Sequence, residues 1–336
     1  MHPISLIKTA GYLPGTPIDL SFYPIEAQEN EGFLQRGKYR HHISENENAA
    51  DMIINASSKL IKELNLDPAK DIDIILTNVS CPDQPFNGCG VEVKHRLGAK
   101  AKWIFDIHNT GCISFVMMMS LAQSLMASSQ AKTALICCVQ SAAGRIFADP
   151  QIRSRPESCV PGDGCGVGYF VANEQSPIKS IVHHSYGEYA MDMVSVSDDK
   201  RKWWQNRETA MRLDLSEDRI PKIVMRGNKI VPDVIKEACQ EAGILSSNLN
   251  ILITNQPNPV FLRNWREALE LPKESQIETF EEHGNMFGAA IPICFEKGIT
   301  EGRIKKNDYI ALGGFSHAGD FAASAIIHWQ AGLQTT

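Results

Sequence analysis

The sequence predicts an α/β protein made of two repeated halves, in which short strands alternate with helices. A repeat is the first sign. Residues 72–82 (IDIILTNVSCP) resemble residues 249–259 (LNILITNQPNP), with Asn78 matching Asn255 at a shift of 177. The elements that follow repeat at nearly the same shift. His108-Asn109-Thr110-Gly111-Cys112 pairs with His283-Gly284-Asn285-Met286-Phe287-Gly288, and the two histidines lie 175 residues apart. The third sign is the strands themselves, which are β-branched, almost continuously apolar and closed by Asn and Pro. Such runs suit sheets covered by helices on both faces, and strands alternating with helices imply mostly parallel pairing.

In chain order, an amphipathic helix is expected over about 49–64, then the strand within 72–82. An apolar helix opening at Cys112 and a strand over 134–139 complete the first half. The second half repeats this with a helix over about 231–242 and the strand within 249–259. A small-residue helix through Cys294 and a strand over 309–313 follow. The halves fall at about 1–172 and 173–336 and are expected to meet face to face. Residues 186–219 do not fit the repeat. With Trp203 and Trp204 inside KRKWWQNRE, they read as a surface excursion or as a cap over a substrate entrance.

Composition narrows the function. The chain has 336 residues, 43% hydrophobic and 21% charged, close to the globular average. Its net charge of −6 argues against a nucleic-acid or anionic-membrane surface. The run over 112–127 (CISFVMMMSLAQSLMA) is short for a membrane span and carries three Ser and a Gln, so it reads as a buried core helix. The start, MHPISLIKTAGYLPG, lacks the pattern of a signal peptide, and a cytoplasmic location is expected. Nine cysteines without any C-x-x-C fit a reduced protein, and no metal site is expected. The glycine-rich stretch 162–168 runs into the strand-like YFVA rather than a helix, which excludes a dinucleotide loop, and no Walker A pattern occurs.

Among the cysteines, Cys112 stands out. It follows Thr110-Gly111 at the start of the apolar helix, where the helix dipole and unpaired N–H groups favour thiolate. Thiolate is the form that attacks carbonyls. At the matching helix start of the other half lies the polar Asn285.

An ordered set of motifs resembles the ketoacyl-ACP synthase III branch of the thiolase superfamily. Asp106-x-x-x-x-Gly111-Cys112 is similar to its nucleophile segment, and Gly162-Asp163-Gly164-Cys165-Gly166 to its GDGA-type loop. Met225-x-Gly227-x-x-Ile230 is similar to the motif opening its second half. Gly284-Asn285 with Ala289-Ala290-x-Pro292 resembles its G-N-x-x-x-A-S-x-P segment, and Gly313-Gly314-Phe315 its closing glycine loop. The resemblance implies a thiolase-like fold of two pseudo-twofold-related βαβ halves in five αβαβα layers. It also implies a homodimer and an acyl-cysteine intermediate.

The chain departs from that family at one point. Condensing enzymes begin an H-Q-x-N segment with His, whereas here the segment reads Asn255-Gln256-Pro257-Asn258. An amide cannot take a proton as a base at neutral pH. The pattern is then similar to the acyltransferase offshoot, which uses a Cys-His-Asp triad to acylate a hydroxyl or amine of a natural product. Carried over, Cys112 is the nucleophile, His283 the general base and Asp320 the group that orients it, with His317 and His108 as rival bases. Asn255 and Asn285 support the site, and the backbone N–H groups of Cys112 and Phe315 are expected to form an oxyanion hole.

The resemblance further implies no permanently bound cofactor. The acyl donor is expected on a phosphopantetheine arm, as an acyl carrier protein or CoA thioester. Arg36 matches a family Arg near that arm's entrance, and Lys38 and Arg40 make its segment basic, suiting an acidic carrier. The acceptor is a small molecule. The alternatives are a condensing enzyme forming a C–C bond and a non-catalytic heterodimer partner.

Overall fold

The apolar runs become the central strands of two five-stranded sheets in the computed structural model, which describes residues 3–28, 37–108, 110–214 and 219–330. The first sheet holds β1 (Ser5–Tyr12), β2 (Ile74–Val79), β3 (Trp103–Asp106), β4 (Thr133–Gln140) and β5 (Gly164–Val171), in the order β1-β5-β4-β2-β3. The second holds β6 (Ile178–Ser185), β7 (Ile251–Thr254), β8 (Gln276–Ile277), β9 (Tyr309–Ser316) and β10 (Phe321–His328), in the order β6-β10-β9-β7-β8. The two orders are the same pattern, which the sequence repeat anticipates.

Pairing is mixed rather than mostly parallel. In each sheet the three strands on one side are antiparallel and the rest parallel. Connectivity explains the difference. Only residues 317–320 join β9 to β10, too short for the crossover a parallel pair needs.

Helices fill three layers. α1 (Ala49–Leu64) and α2 (Gly90–Leu97) cover the outer face of the first sheet. α3 (Ser114–Ser128) and α6 (Ala290–Thr300) lie between the sheets. α4 (Ile220–Glu241) packs on the outer face of the second, with α5 (Pro259–Ala268) against it. Asn48 caps α1 through a reciprocal bond with Asp51, and Asn65 closes it in the left-handed conformation. The apolar run is the middle layer. Phe115, Val116, Met118, Met119, Ala122 and Met126 are buried there, so a helix apolar enough to span a membrane lies inside the protein. α4 starts 11 residues before the expected 231, with Pro232 inside it. Burial of Ile223, Gly227 and Ile230 offsets the roughly 3 kcal/mol an internal Pro costs.

A cluster of basic side chains fills the junction around residues 40–42 and 283. Arg40 is fully buried and donates from Nε to the Cys159 carbonyl at 2.8 Å and from Nη1 to that of Tyr39 at 2.6 Å. The Tyr23 hydroxyl meets His42 Nε2 at 2.9 Å, and the His41 and His283 rings lie 5.7 Å apart. Burial holds His42 and His283 down at about 4, and neighbouring positive charge on Arg40 adds to this for His42. Both are therefore neutral in the fold but take up a proton near pH 6.5 when unfolded. Their contribution is full above pH 6.5 and is lost as pH falls from there toward 4. The urea midpoint should drop between pH 7 and 4.5, and H283Q and H42Q should each shrink that drop.

Candidate active site

Cys112 lies in a tight 3₁₀ turn, Gly111–Ile113, that leads into α3. Ser316, at the end of β9, bonds both sides of it: its hydroxyl donates to the Thr110 carbonyl and accepts from the Ile113 N–H at 3.3 Å. Gly111 has φ +43, and a Cβ there would sit 3.0 Å from His317 Nε2 and 3.3 Å from Ser316 Oγ. The positive φ and this close approach both favour glycine there.

The sulfur faces a cavity of about 350 Å³. Burial pushes the Cys112 thiol up to about 12, and the negative charge of Asp320 adds to this. Hydrogen bonds from the His317 backbone N–H and the Asn255 side chain work in the opposite direction and do not prevail. The expected helix-start thiolate is thus overturned. The turn at the helix start gives too little to offset lost hydration, and the resting group is a thiol.

The hairpin between β9 and β10 presents the imidazole. His317 adopts φ +47, uncommon for a residue other than glycine. Its Nδ1 lies 3.0 and 3.1 Å from the two carboxylate oxygens of Asp320, which is buried. The Asp320 carbonyl accepts from the Tyr186 N–H at 2.7 Å. A carboxylate on Nδ1 fixes the tautomer with its proton there and leaves Nε2 as the acceptor, directed at the Gly111–Cys112 turn.

His283 is not in this cavity. It lies in the junction cluster, its Nδ1 buried without a hydrogen-bond partner among the described residues, and lines a separate cavity with Gly11, Lys59, Glu296 and Lys297. The expectation that His283 serves Cys112 is corrected. Its backbone explains the position: its N–H bonds to the Thr279 carbonyl in the short helix Phe280–His283, and the chain reverses at Gly284 before reaching the cavity at Asn285. Asp320 orients His317, three residues away, rather than His283.

The other expected residues divide. Asn255, Asn285, Phe315 and His108 line the cavity with Cys112 and His317. The Asn255 Oδ1 accepts the Phe315 N–H at 3.3 Å, which directs its Nδ2 to the Cys112 sulfur. Gly314 makes this approach possible, since a Cβ there would stand 2.0 Å from that oxygen. The Phe315 N–H, expected as an oxyanion donor, is engaged by Asn255 Oδ1 in this structure. The Asn285 Oδ1 accepts from the Phe287 N–H at 3.1 Å. Arg36 lies outside the described residues. Ser316 was not anticipated, because a serine in a glycine loop carries no periodic signal.

Of the excursion, Met193, Ser195 and Leu213 line the cavity. The short strands Ser195–Val196 and Arg212–Leu213 pair as its ribbon, while Trp203 and Trp204 are exposed beyond. At its root, Arg226 of α4 donates to the Ala318 carbonyl and to Asp192 Oδ2 at 2.7 Å, with its guanidinium 3.3 Å from the Tyr189 ring centre.

Cys112 and His317 thus line one cavity, and the His317 imidazole is paired with the Asp320 carboxylate. Comparisons with known proteins place the fold in a family. Residues 105–187 match the family described as 3-oxoacyl-[acyl-carrier-protein (ACP)] synthase III, and residues 239–329 match its C-terminal part. The chain is 29% identical over 299 residues to a beta-ketoacyl-[acyl-carrier-protein] synthase III of Clostridium perfringens, covering 86% of this chain and 88% of that one. Among solved structures it is similar to 3-oxoacyl-(acyl carrier protein) synthase III, FabH, of Pseudomonas aeruginosa PAO1, at TM-score 0.83 and 20% identity over 98% of this chain and 99% of that one. It is similar also to the priming beta-ketosynthase of the R1128 polyketide pathway, at TM-score 0.84 and 18% identity over 96% of each chain. Two family matches in the family's own order, spanning together just over half the residues, and a five-layered α/β fold with the nucleophile segment in place lead to one assignment: the chain belongs to the ketoacyl synthase III-like thiolase superfamily.

Proposed function

We propose that the protein is an acyltransferase that moves an acyl group from a carrier-protein or CoA thioester, through acyl-Cys112, onto a hydroxyl or amine of a small natural-product acceptor. One observation carries this reading: an Asp320-oriented imidazole, His317, shares the cavity with Cys112, while Asn255 stands where the resemblance puts a catalytic His.

The first step follows from the thiol's resting state. His317 Nε2 takes the Cys112 proton as the sulfur attacks the thioester carbonyl. A new C–S bond forms, the donor C–S bond breaks, and the proton leaves with the pantetheine thiol. In the second step the acceptor heteroatom loses its proton to His317 and attacks the acyl-cysteine. The carbon–sulfur bond breaks and Cys112 regains a proton. Through both steps the Asp320 carboxylate stabilises the imidazolium, and the His317 N–H with the Nδ2 of Asn255 faces the developing negative charge.

The likeness to ketoacyl synthases favours a second reading, decarboxylative C–C bond formation, with His317 and the two amides polarising a malonyl thioester. Release of CO₂ in step with product separates the two. A homodimer belongs to the same proposal. β3 is an unpaired edge of the first sheet, and Trp103 and Phe105 stack on it at 6.4 Å and lie exposed.

Incubation with a panel of acyl thioesters followed by intact-mass analysis should add acyl mass to the native chain and none to C112A. H317A should slow transfer about 10²–10⁴-fold, the range of a positioned base, while H283A stays within a few-fold of native. A collapse of H283A activity with H317A unaffected would reverse the assignment. Alkylation of Cys112 in H317A by iodoacetamide should climb about tenfold per pH unit from 7 to 10, because only the thiolate reacts. A plateau near pH 8.5 would contradict the elevated thiol. Sedimentation should give a dimer that W103E/F105E converts to monomer.

A further inference from the structure

Glu157 lines the same cavity as Cys112 and His317, and the transfer mechanism gives it no task. It lies half-buried in the turn Pro156–Cys159. The neighbouring charges are committed elsewhere: Arg155 pairs with Asp198, and Arg145 with Asp83 and the Cys81 carbonyl. Among the described residues, no Lys or Arg lines the cavity and the Glu157 carboxylate has no ion pair. Phe147, Phe287 and Phe315 line the same space, and phenyl faces attract cations. A carboxylate without a counter-ion, beside aromatic side chains and in a confined space, favours a positive guest and repels a negative one.

We infer that Glu157 is a specificity-determining residue, holding a protonated amine of the acceptor while a second heteroatom of that molecule receives the acyl group. The inference rests on the acyl-transfer reading and narrows its acceptor to cation-bearing alcohols and amines. The held nitrogen keeps its proton throughout, so it is not the nucleophile. The proton released on acylation comes from the other heteroatom and goes to His317. A malonyl group, carrying a carboxylate of its own, is the wrong guest for this cavity.

The test reads charge preference at the sulfur itself. Native protein, E157Q and E157D are treated with two methanethiosulfonates, one bearing a 2-(trimethylammonium)ethyl group and one a 2-sulfonatoethyl group. Each forms a mixed disulfide with Cys112 and releases methanesulfinate. Rates at Cys112 are followed by peptide mass and normalised to free 2-mercaptoethanol. The native chain should favour the cationic reagent about tenfold, a factor in the range of one nearby charge. E157Q should lose most of that preference and E157D keep it. A ratio unchanged in E157Q, or a native preference for the anion, would overturn the inference. In the second arm, acyl-Cys112 is offered 4-aminobutan-1-ol or butane-1,4-diol. The amino alcohol should be acylated faster on its oxygen by the native chain, and the two should become equal in E157Q. Equal rates in the native chain would also overturn it. Charge selectivity lost in E157Q, in a protein that no thioester acylates, would support the cation subsite and remove the transfer reading alone.

Discussion

A single hydroxyl fixes the geometry on which the rest of the site depends. Ser316 donates to the Thr110 carbonyl and accepts from the Ile113 N–H, so it grips the nucleophile turn on both sides of Cys112 from a strand of the other sheet. The next residue, His317, is thereby set against Gly111 without room for a Cβ between them. Asn255 adds a second tie, joining the Phe315 backbone to the sulfur. Both halves contribute side chains to one cavity, and hydrogen bonds from regular elements hold them there.

Much of the fold was legible in residue patterns. The helix over 49–64, the apolar helix after Cys112 and the strands around Asn78 and Asn255 carry strong periodic signals, and the structure has them. The antiparallel side of each sheet was not legible as such, because an apolar strand looks the same whichever way its neighbour runs. The early start of α4 was hidden by Pro232, whose local penalty is outweighed by packing that periodicity does not rank.

The site was legible in its parts more than in its pairing. The acyltransferase resemblance points to His283, which also mirrors His108 in the repeat. Symmetry of sequence position, however, says nothing about which way a side chain turns, and His283 faces His41 instead. The pairing present in the structure is local: His317 and Asp320 are three apart across a glycine-bearing turn that brings their side chains together. The protonation state of Cys112 was also hidden. A helix start is visible in sequence, but the withdrawal of water from the sulfur is a property of the assembled layers, and it dominates.

The grip of Arg226 has a mechanical consequence for access to the cavity. Its guanidinium ties Asp192 and Tyr189 to the Ala318 carbonyl, and the Tyr186 N–H holds the Asp320 carbonyl on the same turn. Lifting residues 186–193 would break those bonds and disturb the turn that carries His317. Displacing the ribbon tip beyond Val196 leaves them intact. The excursion is therefore fastened at its start, and a rearrangement that leaves the His317–Asp320 pairing undisturbed is confined to the part beyond Val196.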